Sequence, residues 1–139
     1  AAEQDPTNEI LWFSLGSVYD NLEMQDEAVE AYAKSLGIKA DYFDANYNLG
    51  ALYFNMAVQM VNEANDMWKP RMSKDEATKQ KELEDGGKAM FSTALPYLEK
   101  ALEVEPEDRE TLRSLRDIYA RVGMDEKMLE VSAKLKTLE

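Results

Sequence analysis

Trp12-Phe13-Ser14-Leu15-Gly16-Ser17-Val18-Tyr19 places Trp12, Leu15, Gly16 and Tyr19 at spacings of three, four and seven residues, one face of an α-helix. The same face returns 34 residues later as Asn46, Leu49, Gly50 and Tyr53, and a further 66 residues on as Leu112, Leu115, Arg116 and Tyr119. Each copy has a second half: Ala28, Tyr32 and Ser35 correspond to Ala94, Leu98 and Ala101, then to Met128, Ser132 and Leu135. A fixed period of this kind decides architecture before any local structural assignment.

Small residues at Gly16 with Ala28, and at Gly50 with Ala94, let two antiparallel helices approach closely while Leu, Tyr and Trp fill the space around the contact. Each copy therefore reads as a helical hairpin that must stack on its neighbours to cover its apolar face. Punctuation agrees: Asp5-Pro6, Asp41 and Pro106-Glu107-Asp108 mark boundaries, Asp26 and Asp125 open second helices, and Gly123 closes a first one. The pattern W-x2-L-G-x2-Y with its following Ala and Tyr resembles the tetratricopeptide-repeat family. The second copy departs from it at Asn46, and the third at Arg116 and Met128. The resemblance implies an all-α, right-handed superhelix of antiparallel helix pairs with one elongated protruding hairpin.

The expected division is a tail of a preceding repeat or linker over 1–8, a first repeat over 9–42, a second over 43–108 and a third over 109–139. Pro6 stands on the last position of a repeat, so a further repeat is expected upstream, and a natural C-terminus is plausible at the other end. The second repeat contains 32 extra residues, about 57–88, that are themselves helix-forming. Leu49, Leu52, Tyr53, Met56, Met60, Ala64 and Met67 continue one stripe, so the first arm should run to about Trp68 and end at Lys69-Pro70. Ser73 with Glu76 forms a capping box for the returning arm. At about 1.5 Å per residue the arms would stand on the order of 20 Å beyond the repeats. Gly86-Gly87 either lets the arms pack closely or forms a joint, and with Pro96 we expect a bent arm.

Composition narrows the function. The chain has 139 residues, 28 acids against 16 bases and a net charge of −12, which disfavours nucleic acid and anionic membranes as partners. The absence of Cys and His removes zinc and copper sites of the usual kinds, cysteine nucleophiles, disulfides and a Ser-His-Asp arrangement. No run of about 18 apolar residues occurs, so no direct membrane insertion is expected. The acidic runs Asp26-Glu27-Glu30, Glu82-Glu84-Asp85 and Glu103-Glu105-Glu107-Asp108 read as solvated surface, and Gly86-Gly87-Lys88 lacks the rest of a phosphate loop. No cofactor, metal site or catalytic residue is indicated, and a carboxylate-based enzyme, or a regulatory part of one, is a remote alternative.

What remains is recognition of another protein or peptide segment. In the family resembled, the first helix of each hairpin lines an inner groove. Carried over, the groove comprises Phe13, Ser17 and Asp20 in the first repeat, Tyr47, Asn48, Phe54 and Asn55 in the second, and Arg113, Asp117 and Arg121 in the third. Phe13, Tyr47 and Phe54 are not needed for the core stripe and are the expected aromatic anchors, with shielding of the hairpin interface as the alternative. The carboxylate clamp with which some relatives grip chaperone tails matches only at Asn48, so that ligand is rejected. Residues 1–42 hold nine acids against two bases and residues 109–139 six against seven, a gradient from −7 to +1. A bound segment should accordingly present basic residues to the first repeat and an acidic one to Arg113 or Arg121. The alternative working surface is the hairpin tip, where Met60, Met67, Trp68 and Met72 would support self-association and a structural role.

Overall fold

The computed structural model describes residues 2–139; Ala1, the first residue of the expected tail, lies outside them. Six helices follow one another: α1 (Glu9–Asn21), α2 (Gln25–Ile38), α3 (Phe43–Asp66), α4 (Lys74–Val104), α5 (Arg109–Val122) and α6 (Asp125–Thr137), with no strand among the described residues. They pack as the pairs α1–α2, α3–α4 and α5–α6, joined by contacts of α2 with α3 and of α4 with α5. The chain is all-α, and no helix is long and apolar enough to cross a membrane.

The ends of the helices are fixed by local chemistry. Asn8 Oδ1 accepts from Ile10 N at 3.0 Å and Leu11 N at 3.3 Å, Ser73 Oγ accepts from Glu76 N at 3.2 Å, and Asp108 Oδ2 accepts from Thr111 N at 2.9 Å. Each satisfies donors that a helix N-terminus leaves without partners. Gly123 ends α5 in the left-handed region at φ 78°, where a side chain would be strained. A Cβ on Gly16 would lie 2.6 Å from Tyr32 Cδ1, and one on Gly50 2.6 Å from Leu98 Cγ, so both glycines are required by close approach.

Asn46, a departure from the repeat pattern, keeps the function of the residue it replaces. Trp12 Nε1 donates to the carbonyl of Pro6 at 3.1 Å, and Asn46 Nδ2 donates to that of Ala40 at 3.0 Å, six residues upstream in both repeats. The core forms two clusters, one around Ala28, Tyr32, Leu49 and Leu52, the other around Phe91, Leu98, Leu112, Leu115 and Ile118. Tyr53 packs against both and links them.

The elongated hairpin is present. α3 has 24 residues against 13 in α1, and α4 has 31 against 14 in α2, which extends the arms by about 16 and 25 Å. α4 is one continuous helix through Gly86, Gly87 and Pro96, and the two glycines form a close contact with the facing arm. A Cβ on Gly87 would meet Val61 Cγ2 at 2.9 Å and the Ala57 carbonyl at 3.2 Å, and one on Gly86 would collide with Met60 Cε. Gln80 Nε2 also donates to the Ala64 carbonyl at 2.9 Å, tying the arms together near the tip.

Candidate interaction groove

The candidate groove residues lie on α1, α3 and α5 and fall into three groups. In the first, Ser17, Asp20 and Asn48 gather around the Tyr32 hydroxyl. That hydroxyl donates to Asp20 Oδ2 at 3.3 Å and accepts from Asn48 Nδ2 at 3.4 Å. Burial raises the Tyr32 pKa above its ordinary value, the Asn48 hydrogen bond opposes this, and the Asp20 charge adds to it; Ser17 also bonds the phenol and lowers it. Both bonds are long for O–H···O or N–H···O contacts, and the Asp20 carboxylate and Asn48 amide each have further hydrogen-bonding sites beyond the one used here. Asp20 continues into a cleft of about 410 Å³ that Leu52, Asn55 and Gln59 also line.

Between the second and third repeats, half-buried Tyr47 stacks on Phe43 with ring centroids 6.0 Å apart. Burial, and then the charges of Glu110 and Asp108, raise the pKa of its hydroxyl. Arg113 is exposed and pairs with Glu110 on its own helix, one of several surface ion pairs that each contribute at most about 1 kcal/mol.

The third group is formed by Phe54, Phe91 and Arg121. Phe54 meets Phe91 edge to face at 5.4 Å, and the Arg121 guanidinium lies 5.0 Å from the Phe91 ring. A cation held over an aromatic face in this way is oriented without being neutralised. Asp117, exposed on the same helix, approaches Arg116 at 3.8 Å.

Not every expected residue joins a group. Phe13 lies 5.8 Å from the Tyr32 ring and 5.6 Å from that of Tyr42, so it shields the junction of α1, α2 and the following turn. At the hairpin, Met60 packs towards Gly86, Met67 and Met72 are half-buried, and Trp68 is 67% exposed. Sequence reasoning missed the Tyr32 hydroxyl and Phe91, both on second helices. Phe91 stands three residues before Ala94 on the stripe Phe91, Ala94, Leu98, Ala101, a spacing that signals core, and it is indeed buried, supporting Phe54 and Arg121 from beneath. Among the described residues no group of three or more carboxylates is placed to hold a metal ion.

Comparison with known proteins adds family context. The family described as "Tetratricopeptide repeat" matches residues 10–42. Among curated proteins, a peroxisomal targeting signal receptor of Candida glabrata is 25% identical over 126 residues, covering 91% of this chain and 20% of that protein. Receptors of the same name from Kluyveromyces lactis and Candida albicans are 36% identical over 56 residues and 41% over 51 residues. These matches cover 40% and 37% of this chain, and 10% and 9% of the relatives. The chain thus spans a fifth or less of the curated relatives it matches. Among solved structures, YrrB, a TPR protein with an unusual peptide-binding site, is 21% identical with a TM-score of 0.39, covering 99% of this chain and 72% of that one. The MamA RS-1 ArsTM double mutant is 18% identical with a TM-score of 0.40, covering 99% and 78%.

Proposed function

The chain belongs to the tetratricopeptide-repeat family, and from that premise we propose that it holds a peptide or helix of a partner protein in the groove of α1, α3 and α5. As a tetratricopeptide-repeat chain it is a non-catalytic protein-interaction scaffold. We divide it into repeats over 9–42, 43–108 and 109–139, with 1–8 as a tail and about 57–88 as the inserted hairpin.

One observation carries the groove reading. Ser17, Asp20 and Asn48 surround the Tyr32 hydroxyl with unspent hydrogen-bonding capacity, and half-buried Phe54 and Arg121, both resting on the buried Phe91 ring, supply an aromatic and a cationic group on α3 and α5. Amide and carboxylate groups of this kind bind the backbone and basic side chains of an extended segment, and aromatic surfaces anchor its apolar ones. Similarity to peroxisomal targeting signal receptors favours a signal-type segment as ligand. Asp20 and the acidic first repeat receive its basic residues, and Arg121 its acidic one, because Arg113 already faces Glu110.

The test is a peptide-display selection on the chain, repeated with Asp20→Ala, Asn48→Ala and Arg121→Ala. Enrichment of a common motif that all three variants lose supports the groove and its polarity. A motif that survives all three, or binding indifferent to salt, contradicts it. The second reading, assembly through the hairpin, is favoured by one observation: the exposure of Trp68 at the tip.

A further inference from the structure

We propose that the hairpin tip of one copy docks into a cleft between α4, α5 and α6 of a second copy. This is independent of the concave groove, and its failure would leave that reading standing. The tip segment Trp68-Lys69-Pro70-Arg71-Met72-Ser73-Lys74 holds three bases and no acid within a chain of net charge −12. Its indole is 67% exposed, the most exposed large apolar side chain among the described residues, and an uncovered Trp of that size is costly to leave in water. Lys69 is held by Glu76 at 2.8 Å, whereas Arg71 is in no ion pair among the described residues.

The cleft has the complementary chemistry. It encloses about 520 Å³ over a floor that includes Leu102, Leu112 and Val131, with Tyr119 in its wall and Glu99, Glu103 and Glu130 around it. Repeat symmetry explains why it is open. In the preceding repeat Tyr53 stacks on Tyr97 at 5.9 Å. Tyr119 is the counterpart of Tyr53, but Val131, 34 residues after Tyr97, stands where the second ring would be. The smaller Val131 leaves an open depression beside Tyr119, over side chains that are themselves 1–8% exposed at Leu112, Tyr119 and Val131.

The surrounding charges favour a cation. Glu99 accepts the Tyr119 hydroxyl at 3.1 Å and Glu103 pairs with Lys100 at 3.0 Å, while Glu130 is in no ion pair among the described residues. Among the residues lining the cleft Lys134 is the one cation against Glu99, Glu103 and Glu130, a balance of −2, while Lys100 and Lys127 stand beside it and offset part of that charge. In the proposed docking Trp68 covers the apolar lining and Arg71 pairs with Glu130. The tip cannot fill its own cleft: Lys74 and Glu99 are 25 residues apart on the unbroken α4, about 37 Å. Only a second copy brings them together. Overall repulsion between two −12 chains is screened beyond about 8 Å at physiological salt, whereas contacts inside the cleft are not. The area of one tip is small, so the association is weak.

Sedimentation equilibrium of the whole chain, at concentrations up to about 1 mM, tests this. The expected result is concentration-dependent association that Trp68→Ala and Glu130→Lys each weaken at least about tenfold. Both positions are exposed, so folding is preserved, and circular dichroism verifies it. Mixing Arg71→Glu chains with Glu130→Lys chains should restore association that is weakened in each alone, because the unaltered tip of the second then meets the unaltered cleft of the first and the reversed tip meets the reversed cleft. A single monomeric species at the highest concentration overturns the proposal, as does association unchanged in both Trp68→Ala and Glu130→Lys.

Discussion

Asn46 and Trp12 share little chemically, yet each ties the start of its helix to the carbonyl six residues upstream. Asn46 is 3% exposed and also donates to the Tyr42 carbonyl at 3.0 Å, so its loss would remove a donor from both carbonyls and empty a buried position. Asn46→Ala should therefore cost about 1–3 kcal/mol, read as a lower urea midpoint with an unchanged slope. The glycines separate two effects of opposite sign. Ala is favoured over Gly in a helix by up to about 1 kcal/mol. At Gly37 a Cβ meets nothing within 4 Å, so Gly37→Ala should stabilise by roughly 0.5–1 kcal/mol. At Gly16 the same methyl is driven into the Tyr32 ring at 2.6 Å, and overpacking of about 1–3 kcal/mol outweighs the propensity gain. Thermal unfolding of the two variants should move in opposite directions from the parent, and a rise for Gly16→Ala would refute the close-approach account.

The helices themselves were legible in the sequence because spacing reports which face of an element is apolar. The stripe from Leu49 to Met67 located α3, and Ser73 with Glu76 located the start of α4. Gly86-Gly87 was not decided by the same means, since its meaning depends on Met60 and Val61 lying opposite, a register set by the partner arm. The candidate groove positions follow from the repeat register, but the burial of each ring does not. Phe13 is turned to Tyr32 and Tyr42, while the buried Tyr32 and Phe91 support the candidate residues from second helices because the pairs pack so closely. The long hairpin also has unequal support along its length. Ala57, Gly87, Phe91 and Ala94 are buried towards its base, whereas Ala64 is the one buried side chain in the stretch from 62 to 80. Local opening follows the density of such contacts, so amides of 66–80 should exchange with solvent much faster than those of 91–101 under native conditions. Equal protection along both arms would show that the tip is held by something beyond the contacts described.

Across the molecule, tyrosines are distributed through every hairpin, and five of them share one thermodynamic bias. Tyr32, Tyr42, Tyr47, Tyr53 and Tyr119 all have pKa values raised above 10.0, with burial the leading cause in each. At Tyr119 the charge of Glu99, its hydrogen bond and the charge of Glu130 add to burial and produce the largest rise. The unfolded chain loses these protons near pH 10, while the folded chain retains them to higher pH. Between the two values the folded state binds more protons, so stability falls with rising pH. The contribution is fully present below about pH 10 and is lost progressively as pH climbs towards the folded values. Because the affected side chains span all three hairpins, the loss is shared across the stack and unfolding should remain cooperative. Urea midpoints should be level up to about pH 10 and then decline, with tyrosinate absorbance appearing together with loss of helix. Tyr119→Phe removes the most strongly shifted phenol and should flatten that decline, although it leaves the Glu99 carboxylate at the cleft without this donor. An alkaline limb of the same steepness in Tyr119→Phe would mean that Tyr119 is not the main contributor.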